Sequence, residues 1–142
     1  MVDKNNFNVR ESITVVMKPT HDCNLACKYC YVAENAERGV MNEQTLRNAI
    51  GKIALFNGES ESCFIWHGGE PLLVGLEFYR KVIKIQKGFE PRYRFKNFIQ
   101  TNGTLFTAEI ADFFREHSFG VGLSLDGPRD MNDKTRIYKV HR

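Results

Sequence analysis

Apolar positions along this chain alternate between two rhythms. Ile13-Thr14-Val15-Val16-Met17 is a β-branched run and predicts a first strand. Over residues 43–56, Leu46, Ala49, Ile50 and Ile53 fall at helical spacing. They predict a helix with one buried stripe, capped by Asn42 and stopped at Gly58. Residues 62–66 predict a second strand. Residues 76–87 predict a second helix, with Tyr79, Val82, Ile83 and Gln86 along one side and Gly88 closing it. Residues 93–100 predict a third strand. Thr107 is placed to cap a third helix ending near His117, with Ile110, Phe113 and Phe114 facing inward. Residues 120–125 predict a fourth strand, and no fourth helix is predicted after it. Between Tyr29 and Val40 a loop or short helical turn is expected.

Strand, helix, strand, helix, strand, helix, strand is the pattern of a parallel α/β sheet. In such sheets the carboxyl ends of the strands carry the functional groups, whether the sheet is open or closed into a barrel. With 142 residues the chain is long enough for one domain with a real core. Its 42% hydrophobic and 26% charged content is that of an ordinary globular protein. A net charge of +3 calls for neither nucleic acid nor membrane as a partner. Lysines and arginines cluster between Arg80 and Lys96, where they read as a solvated helix face and a turn. No apolar run is long enough to span a membrane, and residues 1–10 lack the apolar centre of a signal peptide.

The cysteines change this picture. Cys23, Cys27 and Cys30 lie in one loop directly after the first strand, at C-x3-C-x2-C spacing. Such crowding reads as a metal site in a reducing compartment, hence the cytoplasm, rather than as disulfides. Soft anionic thiolates suit an iron–sulfur cluster. Three of them leave one iron of a four-iron cluster open, whereas an electron-transfer ferredoxin normally supplies a fourth cysteine. The alternative is a zinc-stabilised α/β binding module without radical chemistry. Zinc wants four ligands, and His21 could be the fourth. Cys63, in Ser62-Cys63-Phe64-Ile65-Trp66, reads as a small buried core residue.

Three further motifs follow successive strands: Trp66-His67-Gly68-Gly69-Glu70-Pro71, Gln100-Thr101-Asn102-Gly103-Thr104, and Gly122-Leu123-Ser124-Leu125-Asp126-Gly127-Pro128. Each has a plain reading as a turn. With the cysteine loop, in this order, they resemble the radical S-adenosylmethionine (SAM) superfamily. Within it they are similar to the anaerobic sulfatase-maturating enzymes and related SPASM-type peptide maturases. The resemblance implies a partial parallel (β/α) barrel, of which residues 1–142 would be an N-terminal portion with about three βα units plus a fourth strand.

It further implies a [4Fe–4S] cluster on Cys23, Cys27 and Cys30, and SAM held by Tyr29, His67, Gly68, Gly69, Glu70, Asn102, Ser124 and Arg136. In that reading Tyr29 packs near the adenine, Glu70 accepts the methionine ammonium, and Ser124 meets ribose or carboxylate. Arg136 pairs with the SAM carboxylate, a task suited to a guanidinium fork. The implied activity is reductive SAM cleavage and hydrogen abstraction from a peptide or protein, such as oxidation of a cysteine or serine to formylglycine. An electron donor such as flavodoxin or ferredoxin is the implied second partner. Asp126-Gly127-Pro128 is read as a turn, and no catalytic base is assigned.

Overall fold

The structure is a computed structural model that describes residues 12–32 and 38–139. Strand β1 spans Ile13–Thr20, helix α1 Glu43–Asn57 and strand β2 Glu61–Gly68. A 3-10 turn over Pro71–Val74 leads into α2, Leu76–Lys87. Strand β3 (Arg94–Thr101), α3 (Ala108–Glu116), β4 (Gly120–Leu123) and α4 (Arg129–Thr135) complete the described order. All four strands are parallel and lie in the order β1-β2-β3-β4. Chain order and spatial order coincide, so each helix crosses over to the adjacent strand.

The expected caps are present. Asn42 accepts the Thr45 N–H at 2.8 Å and Thr107 accepts the Ile110 N–H at 3.3 Å. Helices α1, α2 and α3 all contribute to a single core with one face of the sheet. Phe64, Trp66 and Ile99 from the strands meet Leu46, Tyr79 and Phe114 from the helices. Helices on one face are what a barrel wall requires; an open doubly wound sheet carries them on both. Trp66 is fully buried, stacked on Phe64 and edge-on to Phe78 and Tyr79. Its indole N–H donates to Asn97 Oδ1 at 3.0 Å, and Asn97 exchanges two further hydrogen bonds with Gln86. The polar Gln86 on the buried side of α2 therefore has its partner. Beside it, Phe78 and Ile85 are buried while Ile83 is only half-buried.

Two expectations are corrected. A fourth helix exists: α4 is seven residues long and buries none of them. With no apolar stripe it leaves no periodic signal in the sequence. Cys63 is half-buried and lies on the sheet face opposite Phe64 and Trp66, because side chains alternate along β2. It is therefore not part of the helix-side core. Of the loop expected between Tyr29 and Val40, residues 33–37 lie outside the described residues.

Candidate functional site

Because the strands are parallel, the segments after β1, β2, β3 and β4 emerge at one end of the sheet. They bring the cysteine loop, Glu70, Asn102 and Ser124 to the same side. Hydrogen bonds join them. Glu70 is buried, and its carboxylate takes three donors: Leu72 N–H at 3.0 Å, Thr101 Oγ1 at 2.7 Å and Asn102 N–H at 2.8 Å. A buried carboxylate needs such partners. Here they clamp the end of β2 to the end of β3. The Asn102 side chain carries the connection onward. Its amide donates to Asn24 Oδ1 at 2.9 Å and points to Cys23 Sγ at 3.9 Å, while Thr104 donates twice to its oxygen.

Gly68 and Gly69 serve a closer approach than the sequence foresees. A side chain on Gly69 would place Cβ 2.0 Å from the Asp22 carbonyl oxygen, and one on Gly68 2.4 Å from the Thr20 carbonyl. Gly68 also has φ at +126°, a conformation that side chains disfavour. The space left by the missing side chains is filled by residues 20–22, which lead into the cysteine loop. Gly69 N–H bonds Thr20 O at 3.1 Å and Glu70 N–H bonds Asp22 O at 2.7 Å.

Cys23, Cys27 and Cys30 are all free thiols. The Cys23 sulfur accepts the Leu25 N–H at 3.4 Å. Burial pushes the Cys27 thiol above its ordinary value, and the nearby Arg136 opposes that. Among the described residues no three His, Cys, Asp or Glu side chains are grouped to hold a single ion. A cuboidal cluster takes each thiolate on a different iron, so its ligands need not converge on one point. The donor chemistry, three soft thiols in one loop with N–H groups aimed at sulfur, fits such a cluster.

Tyr29 and Arg136 are brought together, and both are tied to Asp126. The Tyr29 hydroxyl donates to Asp126 Oδ2 at 2.6 Å, and Arg136 donates to Oδ1 from Nε at 2.9 Å. The Arg136 guanidinium lies 5.5 Å from the centre of the Tyr29 ring. Ser124 accepts a hydrogen bond from the Gln100 amide at 2.9 Å. His67 lies on the open face of β2, where its Nδ1 is hydrogen-bonded to the Tyr31 hydroxyl at 3.2 Å. Lys18 Nζ sits 5.3 Å from the centre of the Tyr31 ring. Sequence reasoning missed Asp126, Asn24, Thr101 and Tyr31. Asn24 and Tyr31 flank cysteines, and that adjacency was the available signal.

The comparisons with known proteins agree with this geometry. The chain is 40% identical over 133 residues to a serine-type anaerobic sulfatase-maturating enzyme of Bacteroides thetaiotaomicron, covering 89% of this chain and 32% of that protein. It is 37% identical over 140 residues to a cysteine-type anaerobic sulfatase-maturating enzyme of Clostridium novyi, covering 89% and 36%. The chain thus spans about a third of the length of these relatives. The solved structure of native anSMEcpe with bound AdoMet and Cp18Cys peptide superposes with a TM-score of 0.78 at 34% identity, covering 89% of this chain and 34% of that one. Among the described residues no helix is long and apolar enough to cross a membrane. Residues 17–142 match the radical SAM superfamily. With the parallel sheet and the cysteine loop at its carboxyl end, the chain belongs to that superfamily, whose enzymes use a [4Fe–4S] cluster and S-adenosylmethionine.

Proposed function

We propose that this chain is the cofactor-binding part of a peptide- or protein-modifying radical SAM enzyme of the sulfatase-maturase kind. Cys23, Cys27 and Cys30 would hold the cluster, which supplies one-electron reduction of SAM and so a radical that removes a hydrogen atom from substrate. The observation that carries this reading is the placement of three free thiols beside the joined ends of β2 and β3.

Each residue has a part in this reading. The Glu70 carboxylate, buried and bonded to Leu72, Thr101 and Asn102, would shape the Gly68-Gly69 wall that receives the SAM amino group and lend it negative charge. Asn102 steadies that wall against the cysteine loop. Ser124 and Gln100 form a polar pair at the end of β4 for the ribose. Tyr29 covers the cluster side. His67, hydrogen-bonded to Tyr31 on the open face of the sheet, would stand beside the Gly68-Gly69 wall on the SAM side. Arg136, held by Asp126 through Nε and Nη2, would turn its remaining guanidinium N–H groups to the SAM carboxylate.

Two similarities support the substrate class: two relatives are sulfatase-maturating enzymes, and one superposed structure holds a peptide. A serine or cysteine side chain oxidised to formylglycine is the first substrate to try. Flavodoxin or ferredoxin would donate the electron, in a reducing cytoplasm. The test is anaerobic reconstitution of the intact protein, with electron paramagnetic resonance of the reduced form with and without SAM. A cluster signal that SAM alters is the expected result. A protein that takes up zinc, and shows no cluster signal after reduction, would overturn the reading.

A further inference from the structure

The cysteine loop is held on its outer side by a segment more distant in the sequence than any motif suggests. Ala26 N–H bonds Ile137 O at 2.7 Å, Lys28 N–H bonds Thr135 O at 3.0 Å, and Lys139 N–H bonds Asn24 O at 3.1 Å. Leu25 and Tyr138 form an antiparallel bridge within this ladder. Residues 135–139 therefore run as a strap along the loop that carries Cys23, Cys27 and Cys30.

One carboxylate fastens both sides of the ladder. On the loop side, Tyr29 donates to Asp126 Oδ2 at 2.6 Å. On the strap side, Thr135 donates to the same oxygen at 2.7 Å, and Arg136 donates to Oδ1 from Nε and Nη2, each at 2.9 Å. These are lengths typical of charge-assisted bonds, the strong kind. Asp126 is itself fixed, since its N–H bonds the Asn132 side chain on α4 at 3.3 Å. The Arg136 side chain is only 16% exposed, so its charge is kept beside the loop rather than in solvent.

We propose that Asp126 is the positioning residue of the cysteine loop: through Tyr29, Thr135 and Arg136 it fixes the loop on the strap before any metal arrives, and it holds the Arg136 charge beside Cys27. Asp126 touches neither iron nor substrate in this role. It acts through the path of the loop and through the guanidinium it holds.

The test has two arms, both on the intact protein. The first needs no metal: amide hydrogen exchange of the apo form, comparing wild type with Asp126→Asn, Tyr29→Phe and the double variant. Exchange at Ala26 and Lys28 should quicken about tenfold in each single variant, while Ile50 in α1 stays protected. The double variant should exchange little faster than Asp126→Asn, because both remove one shared contact. Tyr29→Phe is the gentler change and keeps the test open if Asp126→Asn folds poorly. Unchanged exchange at Ala26 and Lys28, or an equal rise in α1 and α2, would overturn the proposal.

The second arm rests on the cluster reading above. After reconstitution, the midpoint potential should move down in Arg136→Gln, since that variant removes a positive charge near the sulfurs, and Asp126→Asn should shift it less in the Arg136→Gln background than alone, since its effect runs partly through the guanidinium it holds. No downward shift in Arg136→Gln, or equal effects of Asp126→Asn in both backgrounds, would overturn the charge-holding half. If wild type takes up no iron while the exchange arm behaves as expected, the cluster reading fails and the positioning role stands.

Discussion

Alternate residues of β2 enter two different environments. Ser62, Phe64 and Trp66 face the helices and are buried, whereas Cys63, Ile65 and His67 face the other way and are half-covered. The same split runs through β3, where Asn97 and Ile99 are buried and Phe98 is 42% exposed. On the helix side, shape decides: aromatic rings meet edge to face, and the polar Asn97 is tolerated because Trp66 and Gln86 satisfy it. On the open side and at the carboxyl end, chemistry decides: thiols, an imidazole, a buried carboxylate and amides are joined by hydrogen bonds. One strand therefore meets two sets of physical demands at a period of two.

The sharpest way to break this comparison is a pair of truncations on neighbouring residues. Trp66→Ala should cost about 3–5 kcal/mol in urea unfolding, and Ile65→Ala about 1 kcal/mol. Equal losses would mean that the two faces are not differently specified. Next comes the boundary where the faces meet the site. Gly69→Ala forces a Cβ against the Asp22 carbonyl and should cost about 3 kcal/mol. At Gly75, by contrast, an added Cβ meets nothing within 4 Å and only the backbone, at φ 78° and ψ 165°, resists it, so Gly75→Ala should cost about 2 kcal/mol. Comparing their unfolding midpoints separates close approach from conformational strain.

A loss smaller than that of Gly69→Ala is expected from Glu70→Gln. Its new NH2 would face donors that now bond a carboxylate, for about 2 kcal/mol by denaturant titration, with Asn102 loosened in NMR spectra. A variant as stable as wild type would show that the buried carboxylate is not needed as a clamp.

Acid should loosen the polar end. Hydrogen bonds from Tyr29 and Thr135, with Arg136 beside them, hold the Asp126 carboxyl down to about 2. An unfolded aspartate titrates near ~3.9. The folded value is the lower one, so this contribution is present above pH ~4 and is lost as pH falls through about 2. Chemical shifts of Ala26 and Lys28 in the apo form should move over that range and stay flat in Asp126→Asn. Last, Glu43 is held below its usual value by Arg47 and Lys81, but it lies on the exposed side of α1. Glu43→Gln should leave the thermal midpoint unchanged, because exposed ion pairs contribute little.

Much of the helix-side architecture was legible because it depends on neighbours in sequence. Stripes such as Leu46 and Ile50, and caps such as Asn42, carry their own local signal. β1 runs on to Thr20, beyond the β-branched run, because Thr20 still pairs with Gly68 across a register shift that accommodates Pro19. A proline at that point hides the extension from a propensity reading. The side of Cys63 was available from parity, once Phe64 and Trp66 were assigned to the core. α4 was hidden because helical periodicity is a burial signal, and α4 buries nothing.

The site divides in the same way. The cysteine spacing and the Gly-Gly-Glu-Pro turn are local patterns and were visible. Asp126 was read as a turn residue because Tyr29 lies 97 positions away and its nearer partners, Asn132, Thr135 and Arg136, are brought to it only by α4. A single sequence neither pairs residues across the longer separation nor shows a helix that leaves no periodic signal.

The strap also has a consequence for biogenesis. Tyr29 and Asp126 are 97 positions apart. A ribosome adding about 5–20 residues per second exposes the cysteines roughly 5–20 s before their fastening can form. During that interval the three thiols hang on an unfastened loop, open to oxidants and to stray metals. The thiols are thus most accessible while the chain is being made, and become less so once translation supplies the other half of the ladder.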